Sequence, residues 1–552
     1  MKKSQYIITA IAFIAFPSFG KAQSQVKDST MNRTVVVEQD YNPDIMDASK
    51  VNVVPTVEPP SVSKNPVKYD ANLVPSGQIP PNTMKAYTGK EVQDKSLPGY
   101  ARLGYGNYGN LDAQANYRFA LPSNNELNLS FNMNGMNGKL DQPDASGKWD
   151  AHYYRTRAGL DYLHAFRKLD FNAAVHFGLS NFNFLPERYA YGNQKFSSGD
   201  VHFGVKSTDD NLPFQFTAET NLMFYQRKRD ILGTGIRENM IRTKADVFAP
   251  ISENQHIGLA LTMDNVFYKN NVYDNYTSLQ LNPYFLYQTE DWKIRLAAHT
   301  DLAFGFGKSI RIAPDLTAQY TFSDSYMLYA QATGGRHTND FRRLEAYCPY
   351  GEIGYGNQLD ATYEQLNAAL GMKASPLTGL WFNLYGGYQD LKNDLYQYPT
   401  SITLPADGSM QSLLIQTGNT HNVYAGLEMS YDYKSLFTIA AKGIYRNWSA
   451  SDKTEEDHIL YFKPSFEGNI HVDFRPVSTA LVNIGFQYTK REDVQPTSAD
   501  AIENLYIGGS YNLFKGISIY ARANNLLNKD YQYYVGYPSE GFNFVGGVSF
   551  QF

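Results

Sequence analysis

The sequence predicts an all-β fold, an antiparallel transmembrane β-barrel of about 22 strands over residues 99–552. Three observations predict it. Apolar and polar residues alternate throughout this range, short polar turns alternate with longer polar segments, and the chain ends on an amphipathic strand with Phe552 as its last residue. Successive side chains of a strand point to opposite faces, so such a pattern gives each strand one apolar and one polar face.

The alternation fixes which side chains we expect on each face of the barrel wall. It is clearest in residues 293–304 and 422–433, and it recurs in 214–224 and 480–488. The residues expected to face lipid are Ile294, Leu296, Val423, Leu427, Val482 and Ile484. The residues expected to face the lumen are Arg295, Asp301, Glu428 and Asp432. A soluble sandwich also alternates in this way, so the connections must decide between the two folds.

The connections are short at one end of the predicted strands and long at the other. The short turns lie at 121–125, 167–168, 209–213, 252–255, 289–292, 323–325, 375–379, 433–435, 475–478 and 514–516. The longer segments lie at 136–149, 183–196, 227–236, 338–359, 390–419 and 529–541. Short periplasmic turns and long extracellular loops are typical of outer-membrane barrels. Ten hairpins and two terminal strands give the predicted total of 22.

The N-terminus has the features of a secretory signal peptide over residues 1–22. Lys2 and Lys3 precede an apolar stretch at 6–16, and Gly20 and Ala22 suit a cleavage site. The stretch is too short to span a bilayer as a helix. No cysteine follows the cleavage site, so we expect no lipid anchor. The predicted location is the outer membrane of a Gram-negative cell, as an integral protein that contacts lipid and lipopolysaccharide.

Residues 23–98 are proline-rich and lack the alternation of the barrel. Proline has no amide donor for a strand ladder, so we expect extended chain with little regular structure. Two placements remain open for this segment. It is either a flexible periplasmic tail, or it lies along the barrel wall or through the lumen.

Composition and motifs argue against several function classes. The net charge of −5 gives no reason to expect nucleic acid, and the single cysteine, Cys348, excludes a disulfide framework and a cysteine metal site. Gly104, Gly106 and Gly109 match the dinucleotide-binding motif Gly-x-Gly-x-x-Gly, but no helix pattern follows them. We expect them instead to allow a tight hairpin or to leave space on the inner wall. The prediction is a protein without a cofactor, a metal site or an enzymatic activity.

The last strand carries a candidate assembly signal. Phe550 and Phe552 share one face of a final amphipathic strand, and this ending resembles the signal by which barrels are recognised for insertion. The resemblance implies the barrel assembly machinery as a partner during biogenesis.

Residues 524–531 (Asn-Asn-Leu-Leu-Asn-Lys-Asp-Tyr) and Gly536-Tyr-Pro resemble the C-terminal region of the TonB-dependent receptors. That family transports ligands across the outer membrane through barrels of 22 strands. Thr34, Val35, Val36 and Val37 resemble the short segment by which the family engages TonB. The resemblance therefore implies transport, with TonB as a partner.

One departure from the family is large. Residues 23–98 contain only Gly77 and Gly89, so no glycine-rich globular plug is recognisable there. A barrel of this size has an interior too wide for its own side chains to fill. The lumen is then a porin-like aqueous channel, or loops and the N-terminal segment block it, or another protein covers it.

The segment 338–359 is the strongest candidate for a ligand or partner contact. It combines arginines with aromatic residues, the types enriched at binding hot spots: Phe341, Arg342, Arg343, Tyr347 and Tyr350. We expect them to be exposed on the outer face, where the alternative role is contact with lipid headgroups. Arg227–Arg229 in another outer segment suit lipopolysaccharide phosphates, or are simply a solvated charge run.

Two functions from different classes remain open. The first is transport of a ligand by a receptor-type barrel, and we prefer it. The second is a plugless, non-transporting scaffold or assembly subunit of an outer-membrane complex, with a surface lipoprotein or another outer-membrane protein as its partner.

Overall fold

A computed structural model gives the fold of the chain from residue 97 onward. The described residues are 97–552, without 123–124, 143–146, 186–191, 210, 230–233, 270–271, 324, 355, 405–407 and 495–498; for 401–404 and 408–411 only the backbone is described. The predicted signal peptide, residues 23–96 and the candidate TonB segment Thr34–Val37 lie outside the described residues. Across the described part of the chain, no helix is long and apolar enough to cross a bilayer.

The described chain forms one closed sheet of 22 antiparallel strands, as predicted, and a separate two-stranded hairpin. In chain order the strands are β1 (Gly99–Gly106), β2 (Leu111–Leu121), β3 (Asn125–Asp141), β4 (Lys148–Ala165), β5 (Leu169–Asn183), β6 (Asn193–Ser207), β7 (Gln215–Arg227), β8 (Ile236–Ser252), β9 (Gln255–Tyr268), β10 (Tyr276–Gln288), β11 (Trp292–Phe304), β12 (Ile310–Phe322), β13 (Tyr326–His337), β14 (Thr362–Leu377), β15 (Leu380–Leu404), β16 (Gly408–Tyr433), β17 (Phe437–Ala450), β18 (Pro464–Val477), β19 (Ala480–Arg491), β20 (Ile502–Phe514), β21 (Ile517–Asn524), β22 (Gln532–Tyr534), β23 (Tyr537–Pro538) and β24 (Asn543–Gln551). Short helices span Asn107–Gly109, Phe341–Tyr347 and Glu456–Leu460.

The barrel closes where its first and last strands meet. Strand β1 pairs with β2 on one side and with β24 on the other, with Tyr100 opposite Gln551 and Leu103 opposite Val548. Strands β22 and β23 pair only with each other. Closure removes the free strand edges that an open sheet would expose to lipid.

All ten predicted short turns join consecutive strands, so the predicted hairpin connections are confirmed. Two predicted loops differ from the structure. Strand β3 continues to Asp141, and the segment 390–419 is mostly a β-hairpin in which β15 and β16 pair as far as Leu404 and Gly408. The polar residues of this hairpin resemble a loop in sequence, but cross-strand pairing satisfies its backbone beyond the membrane.

The two faces of the wall agree with the predicted sidedness. Leu296 and Val423 are about half exposed or more, at 50% and 58%, as expected for side chains that face lipid. Asp301 is 3% exposed, and Arg295 donates from Nε to Asp315 Oδ2 over 3.1 Å inside the barrel. Apolar side chains outside and paired charges inside are what a closed barrel with an apolar outer belt requires. This is the architecture of integral outer-membrane proteins.

Tyrosines of the inner wall lie over glycines on nearby strands. A Cβ at Gly371 would lie 2.3 Å from the ring of Tyr329, and one at Gly104 would lie 2.2 Å from the hydroxyl of Tyr520. A Cβ at Gly106 would lie 1.7 Å from the carbonyl oxygen of Phe544, and Gly109 has a φ of +59° in the first hairpin. Gly104 and Gly106 therefore leave space on the wall, and Gly109 allows the tight hairpin, as expected from the sequence.

Candidate functional site

The segment between β13 and β14 folds into the outer end of the barrel. Its helix Phe341–Tyr347 begins after Asp340, whose carboxylate accepts a hydrogen bond from the Arg343 amide over 2.8 Å. Phe341 and Leu344 are 2% and 1% exposed. The predicted exposure of this segment is wrong: Phe341 is buried, and Arg342, Arg343, Tyr347 and Tyr350 are partly buried. The inner wall offers apolar surface at this level, so the burial of Phe341 and Leu344 is favourable.

The apolar surface comes from inward-pointing residues at the outer ends of four neighbouring strands: Trp149, Phe182, Phe196 and Tyr225. The ring of Phe341 lies 5.9 Å from that of Tyr225. The ring of Tyr350 lies 5.2 Å from that of Phe182 in an edge-to-face arrangement, which is favourable for aromatic pairs. The loop and the wall thus share one hydrophobic cluster.

Two further segments pack against this loop. The ring of Tyr537, in the loop 525–542, stacks on Tyr350 at a centroid distance of 3.8 Å. The hairpin of β15 and β16 contributes Leu395, whose carbonyl oxygen accepts from the Tyr347 hydroxyl over 3.1 Å. Glu352 bonds through its backbone to Leu413 and Ile415 over 2.8 Å each. We call the loop 338–361, the hairpin segment 394–418 and the loop 525–542 the mouth layer.

Ion pairs and polar hydrogen bonds attach the loop to the wall. Arg342 Nη1 donates to Asp200 Oδ2 on β6 over 3.0 Å, and the Thr338 hydroxyl donates to Asp264 Oδ2 on β9 over 2.9 Å. The hairpin segment has an ion pair of its own, in which Lys463 Nζ, just before β18, donates to Asp394 Oδ2 over 2.6 Å. Burial raises the pKa of the Asp340 carboxyl above its usual value, although the nearby Arg242 opposes the shift.

Glu345 makes the densest polar contacts of the loop helix. Its Oε1 lies 3.3 Å from Arg157 Nη2 and 3.8 Å from Arg155 Nη2, and it accepts from the Ser180 hydroxyl over 2.5 Å. Its Oε2 accepts from the Tyr225 hydroxyl over 2.5 Å. Sequence reasoning missed this cluster because the partners come from β4, β5 and β7, far from Glu345 in the chain.

Cys348 is fully buried in the mouth layer. Burial raises the pKa of its thiol to about 12, so it is a thiol and not a thiolate at neutral pH.

Arg227, predicted from the sequence as a possible lipopolysaccharide contact, is also buried, at 2% exposure. It donates to the Gly351 carbonyl oxygen over 2.8 Å and lies over the ring of Phe196. The predicted contact of Arg227 with lipopolysaccharide phosphates is therefore wrong.

Cavities with mixed polar and apolar walls lie beside and below the mouth layer. One of about 1000 Å³ has Trp149, Tyr350 and Tyr537 at the layer and extends to Ser549 and Gln551 at the periplasmic end of the last strand. Its wall is rich in asparagine, and its Arg102 and Asp112 pair with each other at 3.0 Å. A second cavity of about 570 Å³ and a third of about 260 Å³ lie next to Arg342.

The remaining candidate residues have the following positions. Phe550 and Phe552 are exposed on the outer face of the seam, and the ring of Phe552 stacks near Tyr117 at 5.9 Å. Their role in assembly stays a prediction. Within the described residues, no group of histidine, cysteine and acidic side chains is arranged to hold a metal ion.

No family model matches the sequence, and no curated protein is significantly similar to it. Solved structures are similar in fold. The siderophore receptor PirA from Acinetobacter baumannii gives a TM-score of 0.63 at 11% identity, over 83% of this chain and 80% of that one. The apoprotein form of the FrpB iron transporter from Neisseria meningitidis gives 0.64 at 10% identity, over 83% and 81%. The copper transporter OprC gives 0.59 at 11% identity, over 82% of each chain.

This chain has the barrel fold of the TonB-dependent receptors. The resemblance stated from its C-terminal residues is thus confirmed for the barrel. At 10–11% identity the likeness concerns the fold, and the ligands of those proteins are theirs.

Proposed function

We propose that this protein transports a ligand across the outer membrane through a receptor-type barrel whose outer end is closed by the mouth layer in its resting state. The observation that carries the proposal is the cavity below that layer. It reaches from Tyr350 to the periplasmic end of β24, and polar side chains, among them the paired Arg102 and Asp112, line much of its wall. A wall of this kind can be hydrated along its length, which a route for a polar solute requires.

Passage requires the mouth layer to move. Several of its attachments to the wall are ionic, and Arg155, Arg157 and Arg342 remain partly solvated at 38%, 40% and 31% exposure. The arginines of these pairs stay in contact with water, so the ion pairs add less to the cost of release than fully buried pairs would. The cost of moving the loop 338–361 from the wall therefore comes mainly from its apolar cluster.

The energy source in this proposal is TonB. Thr34–Val37 would pair with TonB as an added strand, and main-chain hydrogen bonds would supply the affinity. Deletion of Arg33–Val37 should then abolish growth that depends on the transported ligand, while the barrel remains folded and inserted. A deletion without effect on growth contradicts this part of the proposal.

A second candidate function has one observation in its favour. The mouth layer is a packed cluster with Phe341, Leu344 and Cys348 almost completely buried. Such a tightly packed cluster favours a barrel that stays closed. A permanently closed barrel would suit a scaffold in an outer-membrane complex, with a surface lipoprotein or another outer-membrane protein as its partner.

Single-channel recording in planar bilayers separates the two candidates. For a transporter, we expect rare openings of the wild-type barrel and frequent openings after residues 340–359 are replaced by a glycine–serine linker. A wild-type barrel that never opens, together with a silent deletion of Arg33–Val37, supports the scaffold. Loss of a co-purifying protein from the linker variant would then identify the partner.

A further inference from the structure

The partners of Glu345 form a site that belongs to the barrel wall and not to the loop. Arg155 and Arg157 lie on β4, Ser180 on β5 and Tyr225 on β7. Paired strands hold these four side chains in place, and the loop contributes only the carboxylate. If the helix moves away, the two guanidinium groups and the two hydroxyls stay together without an anion.

The wall partners of Glu345 are two arginines and two hydroxyls, with no acid among them. Nearby on the wall, Asp200 and Asp161 share His176 at 2.9 and 3.0 Å, and in the closed state Asp200 also pairs with Arg342 of the loop helix at 3.0 Å. Among the described residues, Glu345 is the carboxylate that lies within salt-bridge distance of Arg155 and Arg157.

The site is accessible while the loop is in place. The side chains of Arg155 and Arg157 are 38% and 40% exposed, and that of Glu345 is 7% exposed. The adjoining cavity of about 260 Å³ is lined by both arginines, Ser198 and Arg342. A solute in this cavity can thus reach the exposed parts of both guanidinium groups while Glu345 is in place.

Guanidinium groups with hydroxyl donors beside them bind carboxylates and phosphates, because charge-assisted hydrogen bonds to planar or tetrahedral oxyanions are strong. We propose that Arg155, Arg157, Ser180 and Tyr225 form an anion-binding site for a carboxylate or phosphate group, which Glu345 fills in the closed state. A ligand anion displaces Glu345 and releases the loop. The proposal rests on the proposed function for its role, since it makes the transported ligand anionic.

Cys348 provides the test, because it is the only cysteine of the chain and is buried beside the helix. The purified full-length barrel is treated with a polar maleimide at increasing concentrations of inorganic phosphate, and chloride keeps the ionic strength constant. We expect phosphate to accelerate labelling saturably, by about tenfold or more, since one or two charge-assisted bonds hold the loop here. Equal labelling in phosphate and in chloride at the same ionic strength would overturn the site, because it would leave screening as the only effect of the anion.

Two variants and one control locate the effect. In Arg155→Gln/Arg157→Gln, labelling should be fast without phosphate and should no longer respond to it. Glu345→Gln should also label faster without phosphate. Arg446→Gln removes an arginine whose partner is Glu467 on another part of the wall, and it should keep the wild-type response. Heat-modifiable migration in gels shows for each variant that the barrel is folded.

A phosphate response that survives in the double arginine variant places the anion elsewhere and refutes the proposal. Labelling reports loop release, whereas channel recording reports passage. If phosphate releases the loop but no solute passes, the anion site stands and transport fails. If channels open without any phosphate-dependent labelling, transport stands and the anion site fails.

Discussion

Truncation of Leu344 should open the mouth layer without unfolding the barrel. Leu344 is 1% exposed and sits one helical turn before Cys348, whose amide bonds to the Leu344 carbonyl oxygen over 2.9 Å. Replacing a buried leucine by alanine costs about 2–5 kcal/mol. Loops can collapse around deleted atoms more readily than a rigid core, so we expect about 2–3 kcal/mol at this site, the lower part of that range. This loss of free energy destabilises the closed mouth layer and not the barrel, because the hydrogen bonds between the barrel strands are unchanged.

That magnitude translates into a measurable rate. A change of about 1.4 kcal/mol is tenfold in an equilibrium constant, so opening should become about 30- to 150-fold more frequent in Leu344→Ala. When opening and reclosing are faster than modification, the rate of Cys348 labelling follows the open population. Mass spectrometry after timed maleimide treatment at pH 8 measures that rate. The burial of the thiol, whose pKa is raised to about 12, keeps the closed-state background low.

The matched control is Leu370→Ala. Leu370 is 59% exposed on the lipid face of β14, far from the mouth layer, and its truncation should leave labelling unchanged. If Leu344→Ala labels no faster than the wild type while both barrels remain heat-modifiable, the layer does not open as a separate unit. The reasoning about a local opening would then be refuted.

Three further predictions concern the wall and the thiol. Leu427→Arg should reduce barrel stability by about 2–4 kcal/mol in a urea titration in lipid vesicles, whereas Glu428→Leu should cost less; the reverse order would mean that the register is shifted by one residue. Gly106→Val should hinder closure at the seam, because its Cβ would meet the carbonyl oxygen of Phe544. It should therefore lower the yield of heat-modifiable barrel, and an unchanged yield would contradict the close approach. Cys348 in the folded protein should label slowly up to about pH 10, and rapid labelling below that pH would show that the thiol is not buried.

The sequence was informative where structure depends on neighbouring residues. Alternation in 293–304 and the short turns sufficed to place strands and faces, because each strand needs only its own pattern and its own hairpin. The mouth layer could not be predicted in the same way. Phe341 and Tyr350 were recognised as unusual, but their burial depends on Phe182 and Tyr225, which belong to other hairpins.

The role of Glu345 was missed for a related reason. A glutamate in a polar loop resembles any solvated acid, and its partners Arg155 and Arg157 lie almost two hundred residues earlier. Polar residues of the 390–419 hairpin likewise suggested a loop, although their backbone forms a ladder. Tertiary contacts between loops and wall decide both cases, and local patterns carry little information about such contacts.

The pairing of β1 with β24 has a consequence for biogenesis. Strand β1 pairs with β24, so the barrel cannot close until β24 has been added to the sheet. Gly99 and Phe552 exchange backbone hydrogen bonds of 2.7 and 3.0 Å, so the final residue takes part in the join. A premature stop within the last strand would leave two unpaired edges facing the bilayer, where an unsatisfied backbone is very costly. Chains that stop within β24 should therefore fail to give a heat-modifiable barrel.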